Sequence, residues 1–515
     1  MYEIFATQFS PVDWVIVGIY LAGTLCAGVL ANRYIHSAAD YMVGGRESGT
    51  ALNVATYIGT GLGLVTLMYA SIDAFSNGFA YVTLAVIGLV VGLFLGSTGF
   101  VIHRLREMAL LTIPEFFEKR FDCRTRVVGG IICALAGILN MGLFPKMGAT
   151  FILYVTGMGA DGVDHATLVN IITSILIIMV LIYTVLGGMV SVIVTDYIQF
   201  VVLSIGMALG VYFVLTDPNL GWATITTTMA EQRGERMFNP VAEGGYGWIW
   251  IVFNFLIILT AGICWAPEAS RALTAKNPGV TKRTFFFASP GQFVRLGIPA
   301  LWAVAAFCMV SQSPELTTHF FPDGLAGDAS HAEQAMPLMI GKIMPAGLLG
   351  ILVAGLLAAF MSTHDSYLLC WSSVISRDII APLRGGALDD RQQIHITRIC
   401  VVCIGIFLLV WGIWYELPPS VWTYMSVTGS IYLSGAAIVL IGGVYWPRAS
   451  SAGALAALLG GLVCIAGLFK DPINAAFDLK LTGEMIGFGG FIFCALMFVF
   501  FSLLIPDRQP GETEA

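Results

Sequence analysis

The sequence predicts an all-α, polytopic membrane protein, and three observations carry that prediction. Of 515 residues, 57% are hydrophobic and only 11% charged, where soluble domains hold about 25% charged residues. The mean hydropathy is +0.84, so apolar runs of the length that crosses a bilayer must recur along the chain. Glycine reaches 58 residues, an excess that membrane helices tolerate because close backbone approach drives their association. A soluble multidomain enzyme is excluded. A net charge of −7 gives no support to nucleic-acid binding.

Taken in order, the apolar windows place about thirteen transmembrane helices. They lie near 12–31, 51–75, 81–102, 127–158, 167–186, 189–215, 247–269, 289–311, 345–377, 396–416, 419–446, 452–469 and 484–505. The first follows Glu3 and Asp13 instead of a basic segment, so it reads as a helix and not as a cleaved signal. An odd count puts the termini on opposite sides of the bilayer, and Lys and Arg then choose between the two orientations. With the amino terminus outside, eighteen basic residues fall in cytoplasmic segments, Arg271 among them, and five in external loops; Lys146 and Arg295 lie within spans. The bias predicts amino terminus out and carboxyl terminus cytoplasmic, in a cell membrane. Segments 216–246 and 312–344 read as external loops, and no stretch reads as a separate soluble domain. Nine of the ten cysteines fall in apolar stretches, with Cys123 in a basic loop, and they read as small buried hydrophobes.

Three spans carry candidate chemistry. The second contains Gly59-Thr60-Gly61-Leu62-Gly63. Three alternating glycines each cost about 1 kcal/mol in a helix relative to alanine. They invite an unwound backbone, which hydrocarbon permits only where the freed carbonyls line a cavity or meet an ion. Close helix packing through small residues is the alternative. A broken helix near the start of a repeat is also a pointer to a transporter site. The ninth span carries Ala359, Ser362, Thr363, His364, Asp365 and Ser366. Ser362, Asp365 and Ser366 stand at i, i+3 and i+4 and so share one face. Hard oxygen ligands of this kind suit a small alkali cation, unless the segment is simply a solvated helix end. In the sixth span Asp196 lies beside Thr195 and Gln199 in an otherwise apolar run. An intramembrane aspartate is a functional hypothesis by default, against a structural hydrogen bond to a neighbouring helix.

These residues, in this order, resemble the sodium:solute symporter family, whose fold is that of the leucine transporter. The resemblance runs from about residue 12 to 470. It includes Asp40–Arg46 after the first span and Ile113-Pro114-Glu115 through Phe121 before the fourth. It continues with Tyr183 through Asp196 to Gln199, Trp265-Ala266-Pro267 with Arg271, Thr274 and Lys276, and the Met361-Ser362-Thr363 helix. The resemblance implies two inverted five-helix repeats, over 51–215 and 247–446. Residues 1–50 then hold the first helix and a cytoplasmic loop, and 452–515 the last two helices with a short tail.

It further implies a main sodium site made of the carbonyls of Gly59, Leu62 and Ala359 with the hydroxyls of Ser362 and Thr363. Some members hold a second sodium, for which Asp196, Ser362, Asp365 and Ser366 occupy the matching positions; Asp365 stands where a hydroxyl is common. Thr60, Gly61, Gly63 and Thr66, with Tyr81 from the next helix, form the expected substrate wall. Lys146 follows Pro145, which kinks the fourth span. It would either pair with a substrate carboxylate or snorkel to the outer interface. A cationic residue in this region binds an acid in some resembling transporters.

The expected function is import of a small polar solute, with a lean toward one bearing a carboxylate, by sodium-driven symport. The partners are sodium ion, the solute and the lipid bilayer; no nucleic acid and no obligate protein partner is expected. The ATP-pump motif G-x-x-x-x-G-K-[ST] is not present, and no enzyme activity is expected. A proton-coupled transporter, through Asp196 and Asp365, is the rival. A sensor built on the same fold is the other alternative, although the tail Pro506–Ala515 is short for a signalling module.

Overall fold

A computed structural model describes residues 2–31, 48–158, 164–386, 388–418 and 420–507. Helices form nearly all of it, and among the described residues the only β pairing is an isolated bridge between Ser48 and Ala275. The Asp40–Arg46 motif and the side chain of Tyr183 lie outside what is described.

The membrane-spanning part begins with α1 (Pro11–Ala31), α2 (Thr50–Gly61), α3 (Leu64–Asn77), α4 (Val82–Thr98), α5 (Cys123–Met141), α6 (Phe144–Val155) and α7 (His165–Thr216). It continues through α8 (Trp248–Cys264), α9 (Ala266–Thr274), α10 (Pro278–Ser311), α11 (Leu348–Val374), α12 (Asp390–Trp414), α13 (Val421–Tyr445), α14 (Ser451–Gly460) and α15 (Gly483–Leu504). Among the described residues ten helical runs are long and apolar enough to cross a membrane, or eleven when α8 and α9, bent by 43°, count as one. The sequence-based expectation was thirteen. Two features account for the difference: α1 offers an apolar stretch of only Pro11–Ala27, and Leu64–Thr98 counts as one run of 35 residues. Gly78, at φ 63°, divides that run between α3 and α4.

Each break has a local cause. Between α2 and α3, Leu62 (φ −91°, ψ 56°) and Gly63 (φ −80°, ψ 157°) leave the helical region. Gly188 interrupts α7 at φ 51° and ψ −161°, a conformation that a residue with a Cβ rarely adopts. Trp265 is extended between α8 and α9, and Pro267 then starts the new helix. The predicted kink at Pro145 is a break at Gly142 and Leu143, with the proline in the first turn of α6.

Burial sorts these helices. The most apolar window of α11 is 89% buried, against 28% and 33% for the two halves of α7. Helix α11 therefore runs through the centre, packed on α1, α2, α5, α7 and α9, while α7 sends Ile171, Ile175, Ile178 and Ile182 outward. That spacing is the lipid-facing stripe of a membrane helix. Asp13 of α1, fully buried, fixes the start of α11, its Oδ1 accepting from the N–H groups of Gly347 (2.7 Å) and Gly350 (2.6 Å). A carboxylate there complements the positive end of the helix.

Two expectations change. Arg271, read from the sequence as a cytoplasmic loop residue, is fully buried in α9. Cys26, Cys123 and Cys403 are exposed, not buried; the other seven cysteines are buried and all ten are free.

Candidate functional site

The break between α2 and α3 lies against α11. A Cβ on Gly63 would collide with Thr363 Oγ1, so the glycine lets the two backbones meet there. Thr363 donates its hydroxyl toward the carbonyls of Ala359 (3.0 Å) and Thr60 (3.5 Å). Thr66, from the first turn of α3, donates to the Gly61 carbonyl at 3.1 Å. The last carbonyls of α2 have no partner in the following turn and carry the negative end of its dipole. Carbonyl and hydroxyl oxygens thus converge at one buried point, a chemistry suited to a hard monovalent cation. Of the five residues expected at the main site, Thr363 and Ala359 meet here, beside Thr60 and Gly63 of the broken segment, while Gly59 faces the Asp196 backbone. The Ser362 hydroxyl turns the other way, donating to Asp196 Oδ1.

Asp196 is the centre of a second cluster. Arg271 enters from α9, and its Nη2 donates to Thr60 Oγ1 (2.5 Å), Ser366 Oγ (2.8 Å) and Asp196 Oδ2 (3.1 Å). Thr60 also donates to Asp196 Oδ2 at 3.4 Å. All of Asp196, Arg271, Ser366 and Asp365 are fully buried. Asp365 lies one turn along α11 from Ser362, and Tyr20 of α1 lies within electrostatic reach of both carboxylates. The residues expected at a second cation site are therefore brought together, with a guanidinium among them that the sequence reading had placed in a loop. An arginine three residues beyond Glu268, in a segment quoted for its Trp-Ala-Pro motif, was the available signal.

The cavity next to the break is built differently from the expected wall. A space of about 80 Å³ lies among α2, α3, α4, α8, α9, α10 and α13, with Tyr57, Tyr69, Glu268, Gln292, Arg295 and Trp422 as its polar and aromatic lining. Arg295 Nη1 contacts Glu268 Oε1 and Gln292 Oε1, each at 3.2 Å, and Nη2 is 3.4 Å from the Tyr69 hydroxyl. A Cβ on Gly61 would meet Arg295 Nη1 at 3.2 Å, so the broken helix is one border of this cavity. Of the residues expected there, Gly61 touches Arg295, whereas Thr60 joins the Asp196 cluster and Gly63 packs on Thr363. Tyr81 lines a separate cavity nearer the end of the bundle. Lys146 donates to the Tyr415 carbonyl at 2.7 Å and is not among the cavity residues. The basic group facing this cavity is Arg295, the other basic residue that the sequence places inside a span.

Comparison with known proteins identifies the family and the fold. The model of the sodium:solute symporter family matches residues 41–461. The sodium/sialic acid symporter SiaT of Proteus mirabilis is 24% identical, over 98% of this chain and 99% of its own length. The sodium/glucose cotransporter of Vibrio parahaemolyticus is 22% identical over 97% and 92%. A solved structure of a Na+-coupled sialic acid symporter in a substrate-bound outward-open state superposes with a TM-score of 0.79. It does so at 22% identity, covering 97% of this chain and all of that one. The chain belongs to the sodium:solute symporter family, as a multi-pass membrane transporter and not an enzyme, with sodium as its coupling ion.

Proposed function

We propose that this protein imports a small polar solute bearing a carboxylate, by sodium-coupled alternating access, with its amino terminus outside and its carboxyl terminus in the cytoplasm. Residues 51–215 and 247–446 act as the two inverted repeats around the site. The observation that carries the reading is the broken segment 59–63, which borders the oxygen-rich point at Thr363 on one side and the Arg295 cavity on the other. Sodium sits among the carbonyls of Gly59, Leu62 and Ala359 and the hydroxyls of Ser362 and Thr363. For the sodium to be held there, Ser362 swings its hydroxyl from Asp196 toward the ion.

The substrate carboxylate goes to Arg295 and not to Lys146. Arg295 lines the cavity, where Glu268, Gln292 and Tyr69 hold its guanidinium in place, while Lys146 is engaged with a main-chain carbonyl at the Tyr415 turn, outside the cavity. Two relatives carry sialic acid, a carboxylated sugar, in their names, which supports an acidic solute.

The cluster around Asp196 supports a second coupling cation. The Asp196 carboxylate with the hydroxyls of Thr60, Ser362 and Ser366 forms a set of hard oxygens that suits one monovalent cation, sodium or a proton. Uptake of acidic and neutral solutes into proteoliposomes, measured against sodium at fixed pH and against pH at fixed sodium, tests the whole reading. Saturable sodium activation of uptake of an acid supports it. Transport driven by a pH gradient alone would assign coupling to the proton, and preference for a neutral sugar would overturn the substrate class.

A further inference from the structure

The end of the bundle above the Arg295 cavity holds a second, larger space that the transport mechanism leaves unused. It measures about 280 Å³ and lies between the α3–α4 turn and the first turns of α8, α13 and α15. Asp73 and Glu484 face it, with the rings of Tyr81, Tyr246, Trp250 and Trp422. No Lys, Arg or His is among the described residues that line it.

The two carboxylates belong to one polar chain. Ser420 donates to Asp73 Oδ1 (3.5 Å) and to Thr423 Oγ1 (3.0 Å), and Thr423 donates to Glu484 Oε1 (3.0 Å). The starts of α13 and α15 favour negative charge here, at roughly half an elementary charge each. No described residue lining the space brings a full positive charge to these carboxylates. Two buried oxygens also have no hydrogen-bond partner among the described residues: Asp73 Oδ2 and the Tyr81 hydroxyl. Tyr81 is fully buried, and burying an unpaired hydroxyl is unfavourable unless a ligand or water completes it.

The walls specify the ligand further. Tyr246 stacks on Trp250 at 3.9 Å between ring centroids. Trp422, whose indole Nε1 is held by Asn254 Oδ1 at 2.8 Å, separates this space from the Arg295 cavity that it also lines. Aromatic faces beside carboxylates are the setting in which organic ammonium groups bind, through ring quadrupole and charge together. The volume is close to that of pockets that take small organic molecules, about 300 Å³ and upward, and is far larger than a bare alkali ion needs. We propose that this space is a binding site for a small organic ammonium ion, held by Asp73 and Glu484 against the Tyr246–Trp250 wall. The site stands apart from the sodium and solute sites, and the proposal does not depend on which solute the transporter carries.

The test uses purified full-length protein in detergent, with sodium fixed and ionic strength balanced by potassium chloride. Tetramethylammonium chloride is titrated, with tryptophan fluorescence and thermal unfolding as readouts. Saturable binding is expected in the wild type. Asp73→Asn and Glu484→Gln should each weaken it by about tenfold or more, as loss of a charge partner does in a desolvated site, and Tyr81→Phe should weaken it by a smaller factor. The Ser362→Ala/Thr363→Ala variant should bind tetramethylammonium as the wild type does, which separates this site from the sodium site. The proposal is overturned if tetramethylammonium gives no saturable response, if potassium alone reproduces it, or if the three lining variants bind it unchanged.

Discussion

Arg271→Gln is the most informative single change. Its guanidinium makes three short contacts, to Thr60, Ser366 and Asp196, and both it and Asp196 are fully buried. Glutamine keeps an amide that reaches the hydroxyls but removes the charge, so the buried Asp196 carboxylate loses its ion-pair partner. Removing one partner of a buried ion pair costs about 3–5 kcal/mol, a large part of the stability of an ordinary domain. If the cluster also takes a coupling cation, sodium should replace part of what is lost. A ligand at one hundred times its dissociation constant stabilises by about 2.7 kcal/mol. Thermal unfolding of purified protein in sodium chloride and in potassium chloride reads both effects. The variant should unfold well below wild type in potassium, with a sodium-dependent recovery larger than that of wild type. Adding Asp196→Asn to Arg271→Gln should restore much of the loss, since the charge is removed along with its partner. An Arg271→Gln protein that unfolds at the wild-type temperature in potassium and shows no added sodium dependence would refute the charge argument.

Four further outcomes are expected. The Ser362→Ala/Thr363→Ala double variant keeps α11 helical but should raise the sodium concentration for half-maximal uptake at least about tenfold, the equivalent of 1.4 kcal/mol; unchanged sodium activation would remove these hydroxyls from the site. Arg295→Gln should abolish recognition of the acidic solute while Lys146→Met leaves uptake near normal; the reverse pattern, measured as KM for the acid, would return the role to Lys146. Gly63→Ala places a methyl on Thr363 and should destabilise the protein by about 1–3 kcal/mol as overpacking does, visible in detergent unfolding together with a weaker sodium response. In the Pro114–Arg120 helix burial pushes the Glu115 carboxyl up, but the Leu111 N–H, Arg377 and Lys119 together hold it below the usual glutamate value. Its stabilisation is therefore present above the unfolded value of about 4.3 and fades as pH falls through the lower folded value; Glu115→Gln should flatten the acid limb of unfolding between about pH 5 and 3, and an unchanged limb would count against it.

The fold was legible because its signals are additive over many residues. Apolar runs, Lys and Arg asymmetry and the Gly59–Gly63 alternation each survive errors of a few positions. The span count was less secure: whether 64–98 is one run or two depends on the backbone of a single residue, Gly78. The shared helix face of Ser362, Asp365 and Ser366 followed from i, i+3 and i+4 spacing alone. Side-chain reach did not follow from spacing. Arg271 sits near a span edge in the sequence, and only the bend at Trp265 carries α9 inward to deliver it to Asp196. Lys146 and Arg295 both lie within spans, the sequence reading gave the substrate role to Lys146 alone, and what separates them is orientation. One meets the carbonyl of Tyr415 and the other meets Gly61, Glu268 and Tyr69.

The placement of the broken segment argues for how ion and solute are linked. Within five residues, Thr60 is bonded to the Arg271–Asp196 cluster, Gly61 touches Arg295, and Gly63 seats Thr363. The oxygen-rich point at Thr363, the buried charge cluster and the Arg295 cavity thus all border the last turn of α2 and the break that follows it. Coupling between two ligands requires that both bias one element with more than one arrangement, and a helix break is easier to shift than a continuous turn. The glycines leave no side chains that would hold the segment in a single position, while Leu62, buried between them, anchors it to the core. On the proposed reading, a cation held by the carbonyls of Gly59 and Leu62 acts on the same turn that carries Gly61 beside Arg295. Coupling energies of about 1–3 kcal/mol are typical of such linkage, and a shift of that size falls within what one hydrogen bond to a charged group supplies.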